Sequence, residues 1–173
     1  MAIERLEPDD TRPAFSCGDA DLDEYYNQDS IEGGQQLVSV TYIYTDGDSK
    51  VLAYFSLSND SINKEECGRS PFKRLSDALP ISKRYSSLPA AKIGRLGICI
   101  EQQGAGIGTE VLDYLKAWFT HNNKTGCRFL IVDAYNKEEV IRFYEKNDFR
   151  FLSTKDERDQ HRIMYFDLIE FRP

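Results

Sequence analysis

Residues 95–108 read Arg-Leu-Gly-Ile-Cys-Ile-Glu-Gln-Gln-Gly-Ala-Gly-Ile-Gly. An apolar run with β character leads directly into a glycine-rich turn, and an amphipathic helix is predicted to follow over Ile107–Thr120. A strand that passes through glycines into a helix N-terminus leaves several backbone N–H groups unpaired, and the helix dipole adds partial positive charge there. The stretch therefore predicts a binding site for a phosphate or another anion.

The residue pattern of the turn differs from the patterns of two common phosphate-binding loops. From Gln103 to Gly108 it follows the pattern Gln-x-x-Gly-x-Gly. No Lys-Ser/Thr pair follows, so it is not the loop of nucleotide-hydrolysing enzymes, and Thr109 and the glycine spacing do not fit a dinucleotide-binding turn. For this segment taken by itself, an ordinary strand-to-helix turn is the alternative.

A second segment, residues 143–149, reads Phe-Tyr-Glu-Lys-Asn-Asp-Phe. With both segments in this order and at this distance, the chain resembles the GCN5-related N-acetyltransferases. Their pyrophosphate loop is Gln/Arg-x-x-Gly-x-Gly/Ala, and a later motif reads Phe-Tyr-Glu-x-x-Gly-Phe. The resemblance implies an enzyme that moves an acetyl group from acetyl-CoA to a primary amine. Asp148 replaces the family's glycine, and we expect it to keep the left-handed turn because Asp tolerates that conformation.

The resemblance also implies the site residues. The backbone of Leu96, Gly97 and Ile98 is expected to pair with the pantetheine arm of acetyl-CoA. Tyr144 matches the tyrosine that lies near the sulfur in many members; a phenol with a pKa of about 10, against about 8.5 for a thiol, can donate a hydrogen bond or proton to a nascent thiolate without being ionised itself at neutral pH. The alternative for Tyr144 is a packing aromatic. The loop residues expected to bind acetyl-CoA are Gln103, Gly104, Ala105, Gly106, Ile107, Gly108 and Thr109.

The general base that would deprotonate the amine is left open by the sequence. Glu66, Glu101 and Asp133 are candidates, and a water relay is the alternative. Cys99 stands where many relatives have a polar residue, and we expect it to be a small buried side chain rather than a nucleophile.

Hydrophobic periodicity predicts an α/β fold with a mixed sheet and helices on its faces, in a single domain over residues 1–173. The family fold is a six- to seven-stranded, mostly antiparallel sheet that splays at the cofactor strand, with about four helices. The apolar stripe of the 107–120 helix includes Trp118, which is expected in the core. A helix over 19–32 is expected to start at Asp19 or Asp21 and to end at Gly33-Gly34. The other predicted elements are strands over 2–6, 37–44, 51–58, 91–100, 128–134, 149–154 and 162–171, and helices over 71–79 and 137–146.

The charge distribution is uneven. The chain carries a net charge of −7, but the segment from Lys64 to Arg95 carries +5 and the remainder −12. One interpretation is a solvated loop whose charges aid solubility. The other is a basic surface for the phosphates of coenzyme A or of a nucleic acid such as tRNA.

A narrower resemblance concerns the acceptor. The chain is similar to the acetyltransferase toxins of toxin–antitoxin pairs in four segments: residues 15–18 (Phe-Ser-Cys-Gly), 22–25 (Leu-Asp-Glu-Tyr), 53–57 (Ala-Tyr-Phe-Ser-Leu) and 93–96 (Ile-Gly-Arg-Leu). These toxins acetylate aminoacyl-tRNA and are typically basic, which the net charge of −7 contradicts. A small-molecule or protein amine is therefore the first expectation, and tRNA with an antitoxin partner is the alternative. A non-catalytic acyl-CoA-binding domain is a second alternative, and a homodimer is left open.

The remaining expectations are negative. The four cysteines are widely separated and the only histidines are His121 and His161, so no metal site is predicted. The N-terminus has no apolar signal region, and no apolar run reaches membrane-spanning length. We expect a cytoplasmic protein with reduced thiols and no membrane partner.

Overall fold

The computed structural model describes residues 2–80, 85–121, 123 and 126–171. Its strands are β1 (Ala2–Leu6), β2 (Val40–Thr45), β3 (Val51–Asn63), β4 (Ser87–Ile98), β5 (Phe129–Tyr135), β6 (Arg150–Phe151) and β7 (His161–Asp167). Its helices are α1 (Ala20–Glu24), α2 (Ser30–Gln35), α3 (Lys64–Cys67), α4 (Arg69–Asp77), α5 (Ile107–Thr120) and α6 (Glu138–Lys146).

The strands form one seven-stranded sheet in the order β1-β2-β3-β4-β5-β7-β6. The pairings β1–β2, β2–β3, β5–β7 and β6–β7 are antiparallel. The predicted mixed sheet with flanking helices is confirmed. No helix in the described part of the chain is long and apolar enough to cross a membrane.

The first helical region begins as the sequence predicts but ends later. The Asp19 side chain accepts hydrogen bonds from the amides of Asp21 and Leu22, which caps α1. A π-helical turn, Tyr25–Asp29, joins α1 to α2. The prediction that Gly33-Gly34 ends the helix is wrong, because both glycines lie inside α2.

Leu37 ends α2 instead, with a left-handed φ of 59°. The amides of Leu37 and Val38 donate to the carbonyls of Gly34 and Gly33, the paired bonds of a Schellman motif. Glycine is the usual residue at this left-handed position, so neighbouring glycines one turn earlier gave a misleading signal. Strand β2 therefore starts at Val40 rather than at Leu37.

The chain divides into two compact units. The first consists of Met1–Ser58 and Ile93–Leu115. In it, the helical region packs on one face of the first strands through an apolar cluster. The buried residues of this cluster are Leu6, Tyr26, Ile43, Val51 and Tyr54. The predicted stripe of α5 is also buried at Ile107, Val111, Leu112 and Leu115.

The second unit consists of Asn59–Lys92 and Lys116–Pro173. Its main core residues are Ile62, Phe72, Leu75, Leu88, Phe129, Ile131, Leu152 and Tyr165. Residues 61–67, for which the sequence analysis predicted no element, complete β3 and form α3. The closing elements are shorter than predicted: β6 has two residues, and β7 gives way to a 3₁₀ turn, Leu168–Phe171.

The last turn of α5 departs from the predicted stripe. Trp118, expected in the core, is 39% exposed, whereas Lys116 is buried. The Lys116 ammonium lies 4.7 Å from the ring centroid of Phe166 and 5.7 Å from that of Phe171. Because these rings stabilise a desolvated cation, the final turn directs Lys116 inward and leaves Trp118 at the surface.

Candidate active site

The glycine turn between β4 and α5 presents its backbone on an open surface. Gly104 and Gly106 have φ values of 80° and 91°, in the left-handed region that favours glycine. A Cβ atom built on either glycine meets no other atom within 4 Å. The glycines are therefore required for the backbone conformation, and a ligand can approach the backbone closely.

The N-terminus of α5 offers unpaired backbone amides at the end of this turn. The Glu110 amide donates to the Gly106 carbonyl at 3.1 Å, which starts the helix. The three amides of residues 107–109 precede that first bond and have no intrahelical acceptor. With the helix dipole they suit a phosphate, so these residues fit the pyrophosphate of acetyl-CoA.

Gln103 fixes the shape of the turn through its side chain. Its Nε2 donates to the carbonyl of Cys17 at 2.8 Å and to the carbonyl of Ile98 at 3.2 Å. The sequence grouped Gln103 with the cofactor-binding residues. The structure gives its side chain a supporting role in the turn and leaves only its backbone as a candidate for ligand contact.

The strand before the turn is tightly packed. Gly97 is buried, with Leu96 and Ile98 half-buried on either side. A Cβ atom on Gly97 would lie 2.5 Å from Cε1 of Tyr54, so only glycine lets the tyrosine ring lie against this strand. The next residue, Cys99, is buried as expected, and its amide donates to the Leu52 carbonyl at 2.9 Å.

A loop near the N-terminus supports the turn. The carboxylate of Asp23 accepts hydrogen bonds from the Ser16 hydroxyl at 2.6 Å and from the Cys17 amide at 2.8 Å. Although burial opposes its ionisation, these bonds hold the pKa of Asp23 below its ordinary value. The loop in turn offers the Ser16 carbonyl to the Ile100 amide at 3.0 Å. The 15–18 and 22–25 segments, which resemble the toxins, thus form a hydrogen-bonded support for the start of the glycine turn.

Arg95 is held by partners within the same unit. Its guanidinium carbon lies 5.2 Å from the ring centroid of Tyr25, and its Nε lies 3.7 Å from the Asp21 carboxylate. Tyr25 itself stacks on Tyr54 at 6.2 Å. Arg95 therefore joins the 22–25 and 93–96 segments that the sequence analysis singled out.

The three carboxylates considered as general bases are all exposed. Glu101 forms an ion pair with Lys50, and this pairing lowers the pKa of Glu101, which is the wrong direction for a base near neutral pH. Asp133 forms an ion pair with Lys92. Glu66 lies on the short helix α3.

The basic segment is only partly neutralised. Lys64, Arg69 and Arg74 are exposed on α3 and α4. Among the residues that the structure describes, none of these three side chains forms an ion pair with a carboxylate. Lys73, by contrast, lies 3.7 Å from Asp77. Two further cations of the predicted surface, at positions 83 and 84, lie outside the described residues.

Tyr144 belongs to the second unit, whereas the glycine turn at residues 103–108 belongs to the first. The tyrosine is 6% exposed. The centroid of its ring lies 5.0 Å from that of Phe143 and 5.5 Å from that of Phe149. Burial raises the pKa of the phenol, so Tyr144 stays protonated at neutral pH. Asp148 has a φ of 65°, which confirms the left-handed turn expected there.

Two residues with a role at the turn were not found from the sequence. Asp23 was quoted only as part of a resemblance, and its hydrogen bonds to Ser16 and Cys17 become visible only in three dimensions. The Tyr44 hydroxyl donates to Glu110 in the first turn of α5 at 2.8 Å, across 66 residues. A tyrosine in a β-strand carries no local signal for such a contact.

Comparison with known proteins gives one family. The model of the acetyltransferase (GNAT) family matches residues 4–149. A tRNA-acetylating toxin of Mycobacterium tuberculosis (strain ATCC 25618 / H37Rv) is 23% identical over 154 residues, which are 88% of this chain and 86% of that protein. A shorter match, 35% identical over 78 residues, links the chain to the glycerophosphodiester phosphodiesterase GDPDL5 of Arabidopsis thaliana; it covers 44% of this chain but only 11% of that protein.

Solved structures share the fold. AtaT complexed with acetyl-methionyl-tRNAfMet is 20% identical, with a TM-score of 0.76 over 98% of this chain and 96% of that chain. A tyrosine-to-phenylalanine mutant of KacT is also 20% identical, with a TM-score of 0.77 over 98% and 95% of the two chains.

Proposed function

The chain belongs to the acetyltransferase (GNAT) family, and on that premise we propose that it transfers the acetyl group of acetyl-CoA to the α-amino group of an aminoacyl-tRNA, as the toxin of a toxin–antitoxin pair. That it is an acetyltransferase follows from the family. The acceptor and the antitoxin partner are the proposal. They are supported by the likeness to tRNA-acetylating toxins over nearly the whole chain.

One structural observation favours this acceptor over a lysine side chain: the candidate bases are exposed, and two of the three are ion-paired. An acetyl acceptor must be a neutral amine. A lysine amine has a pKa of about 10.4 and needs a base, whereas an α-amino group has a pKa of about 8 and is partly neutral at physiological pH. An acceptor that supplies its own neutral amine suits a site whose three candidate bases are exposed to solvent.

The chemistry then needs few side chains. The amine nitrogen attacks the thioester carbonyl, the carbon–sulfur bond breaks, and the released amine proton passes to water. The phenol of Tyr144, which burial keeps protonated, donates a hydrogen bond or its proton to the departing thiolate, and water returns any proton that the phenol gives up. The turn from Gln103 to Gly108 and the amide of Thr109 hold the pyrophosphate, and the backbone from Leu96 to Ile98 aligns the pantetheine arm.

The exposed cations of α3 and α4 supply a surface for tRNA phosphates. Lys64, Arg69 and Arg74 lie within a chain whose net charge is −7. Attraction to a polyanion is then concentrated in this segment, which favours binding in one orientation over unspecific binding.

The test is transfer of label from radiolabelled acetyl-CoA to a pool of charged tRNA. We expect label on the aminoacyl end with wild-type protein, and a loss of about 100-fold in kcat with Tyr144→Phe at nearly unchanged KM for acetyl-CoA. Tyr165→Phe is the matched control, since it removes a buried phenol from β7 of the same unit. Wild-type turnover by Tyr144→Phe would mean that Tyr144 is a packing aromatic and not the catalytic acid.

Two further measurements separate the alternatives. Label on a small amine or a protein, but none on tRNA, would establish the family activity with a different acceptor. Acetyl-CoA binding without any turnover would indicate a non-catalytic domain. Expression in bacteria should arrest growth with the wild-type chain and not with Tyr144→Phe.

The basic segment is tested by the salt dependence of tRNA binding. Arg69→Glu with Arg74→Glu should weaken binding and flatten the slope of log K against log salt by about 0.7 to 0.9 for each phosphate that the protein no longer neutralises. Arg5→Glu, an exposed reversal on β1, is the matched control. An unchanged slope in the double variant would remove α4 from the tRNA surface.

A further inference from the structure

Two carboxylates flank the proposed phosphate loop. Glu101 lies in the 3₁₀ turn that leads into it, and Glu110 lies in the first turn of α5 that follows it. A carboxylate close to a bound pyrophosphate repels it, and the repulsion is strongest at low ionic strength. A loop that binds phosphate must therefore keep both carboxylates from acting on the ligand.

Glu110 is the more serious competitor. Side chains on an α-helix lean toward its N-terminus, and a carboxylate in the first turn is attracted by the unpaired amides and the dipole there. An unrestrained Glu110 would be drawn to the same N–H groups that a pyrophosphate needs. The protein would then occupy its own anion site.

The hairpin of β2 and β3 restrains both carboxylates. The Tyr44 hydroxyl, from β2, donates to Oε2 of Glu110 at 2.8 Å. Lys50, immediately before β3, forms an ion pair with Glu101. All four residues belong to the first unit, so the arrangement is internal to it.

We propose that Tyr44 and Lys50 are positioning residues for acetyl-CoA: Tyr44 holds Glu110 away from the N-terminal amides of α5, and Lys50 neutralises Glu101 at the entrance to the loop. This inference rests on the proposed function, in which the loop binds the pyrophosphate. Neither residue touches the reacting atoms. Both act through a carboxylate, and both set affinity for the phosphate part of the ligand.

If these contacts had a purely structural role, Tyr44→Phe would weaken binding equally with and without Glu110→Gln. A double-mutant cycle distinguishes this role from the proposed positioning role. Acetyl-CoA binding is measured by calorimetry at low salt for wild-type protein, Tyr44→Phe, Glu110→Gln and the double variant. Tyr44→Phe should weaken binding about fivefold, the scale expected for one extra charge facing two phosphate charges across water. Glu110→Gln should tighten binding or leave it unchanged, and Tyr44→Phe should have no further effect in that background.

Acetyl-pantetheine, which lacks the pyrophosphate and the adenosine, is the second probe. Its affinity should be the same for wild-type protein and Tyr44→Phe, because the released carboxylate acts only on phosphate. Equal weakening of both ligands, or equal weakening by Tyr44→Phe with and without Glu110→Gln, would overturn the inference and leave the acetyltransferase assignment intact. Wild-type protein that binds acetyl-pantetheine but gains nothing from the pyrophosphate would overturn the loop assignment as well.

A second double-mutant cycle uses the exposed pair Lys50–Glu101 and so avoids substituting the half-buried Tyr44. The side chains of Lys50 and Glu101 are 48% and 66% exposed, so their substitution leaves the core untouched. Lys50→Gln should weaken acetyl-CoA binding about threefold, and added Glu101→Gln should restore it. Both effects should fade in about 0.5 M salt. A Lys50→Gln variant with wild-type affinity at low salt would remove Lys50 from the proposal.

Discussion

At Gly97, on strand β4, the addition of a single methyl group should markedly lower the free energy of unfolding. A Cβ atom built there lies 2.5 Å from Cε1 and 3.0 Å from Cδ1 of Tyr54, and 3.3 Å from Cζ of Phe15. Ordinary carbon–carbon contact needs about 3.5 to 4 Å. Gly97→Ala therefore requires the Tyr54 ring to shift by about 1 Å.

The ring cannot make this shift freely. Its hydroxyl donates to the Leu22 carbonyl at 2.6 Å, and its ring packs against those of Phe15 and Tyr26 at centroid distances of 5.2 and 5.1 Å. Tyr54 is completely buried. Overpacking of such a site costs about 1–3 kcal/mol, and we expect Gly97→Ala to lower the free energy of unfolding by about 2 kcal/mol.

The assay is urea denaturation followed by fluorescence, combined in a cycle with Tyr54→Leu. Removing the ring removes the obstacle, so Gly97→Ala in the Tyr54→Leu background should cost less than about 0.5 kcal/mol. Gly94→Ala on the same strand is the matched control. Its Cβ would meet only the Ser56 hydroxyl, at 3.0 Å, a small group that can rotate away.

Two results would refute this reasoning. Gly97→Ala could unfold with the wild-type free energy, which would mean that the ring has room to move. The cost could also be the same with and without Tyr54→Leu, which would place its origin in the strand backbone rather than in the contact.

Four other predictions rest on three single features. Leu37→Gly should stabilise the protein by about 0.5–1 kcal/mol because it relieves a left-handed leucine, whereas Leu37→Ala should not; a loss of stability in urea would contradict this. Burial raises the pKa of Cys17 from 9.0 to about 12, so iodoacetamide at pH 8 should label it about 10³-fold more slowly than in the unfolded chain. The same shift means that its contribution to stability is complete below about pH 9 and is lost as pH rises toward 12, which alkaline titration of the unfolding midpoint would check. Arg128 and Asp167 form a largely buried, two-bonded ion pair, so Asp167→Asn should cost about 3 kcal/mol in urea, and the paired change Arg128→Met with Asp167→Leu should recover most of it.

The elements that were predicted well are those with local signals. The bounds of α5 were correct because a glycine turn precedes it and an apolar stripe at helical spacing marks its buried face. Asp148 took the left-handed conformation because Asp tolerates it at a helix end. Both inferences need only neighbours within a few residues.

The elements that were missed depend on distant contacts. Lys116 rather than Trp118 turns inward because aromatic rings of Phe166 and Phe171, much later in the chain, stabilise the cation. The early helix continues past two glycines and ends at Leu37, against the usual preference for glycine at that position. No pattern within either segment indicates these outcomes.

The candidate site divides in the same way. The glycine turn is recognisable because its conformation demands glycine, and Tyr144 because a short motif surrounds it. The supporting role of Asp23 and the restraint of Glu110 by Tyr44 are long-range hydrogen bonds between ordinary residues. The binding roles of the turn and the catalytic role of Tyr144 stay predictions, which measurements of acetyl-CoA binding and turnover test.

The hydrogen bond from Gln103 to Cys17 has a consequence for folding kinetics. It joins positions 86 residues apart, so the chain must close a long loop before the turn is fixed. We expect this contact to form late in folding because the loop must close first, and a nascent chain that ends before Gln103 cannot complete the turn. Acetyl-CoA that binds only the completed turn should then slow unfolding while leaving the refolding rate unchanged.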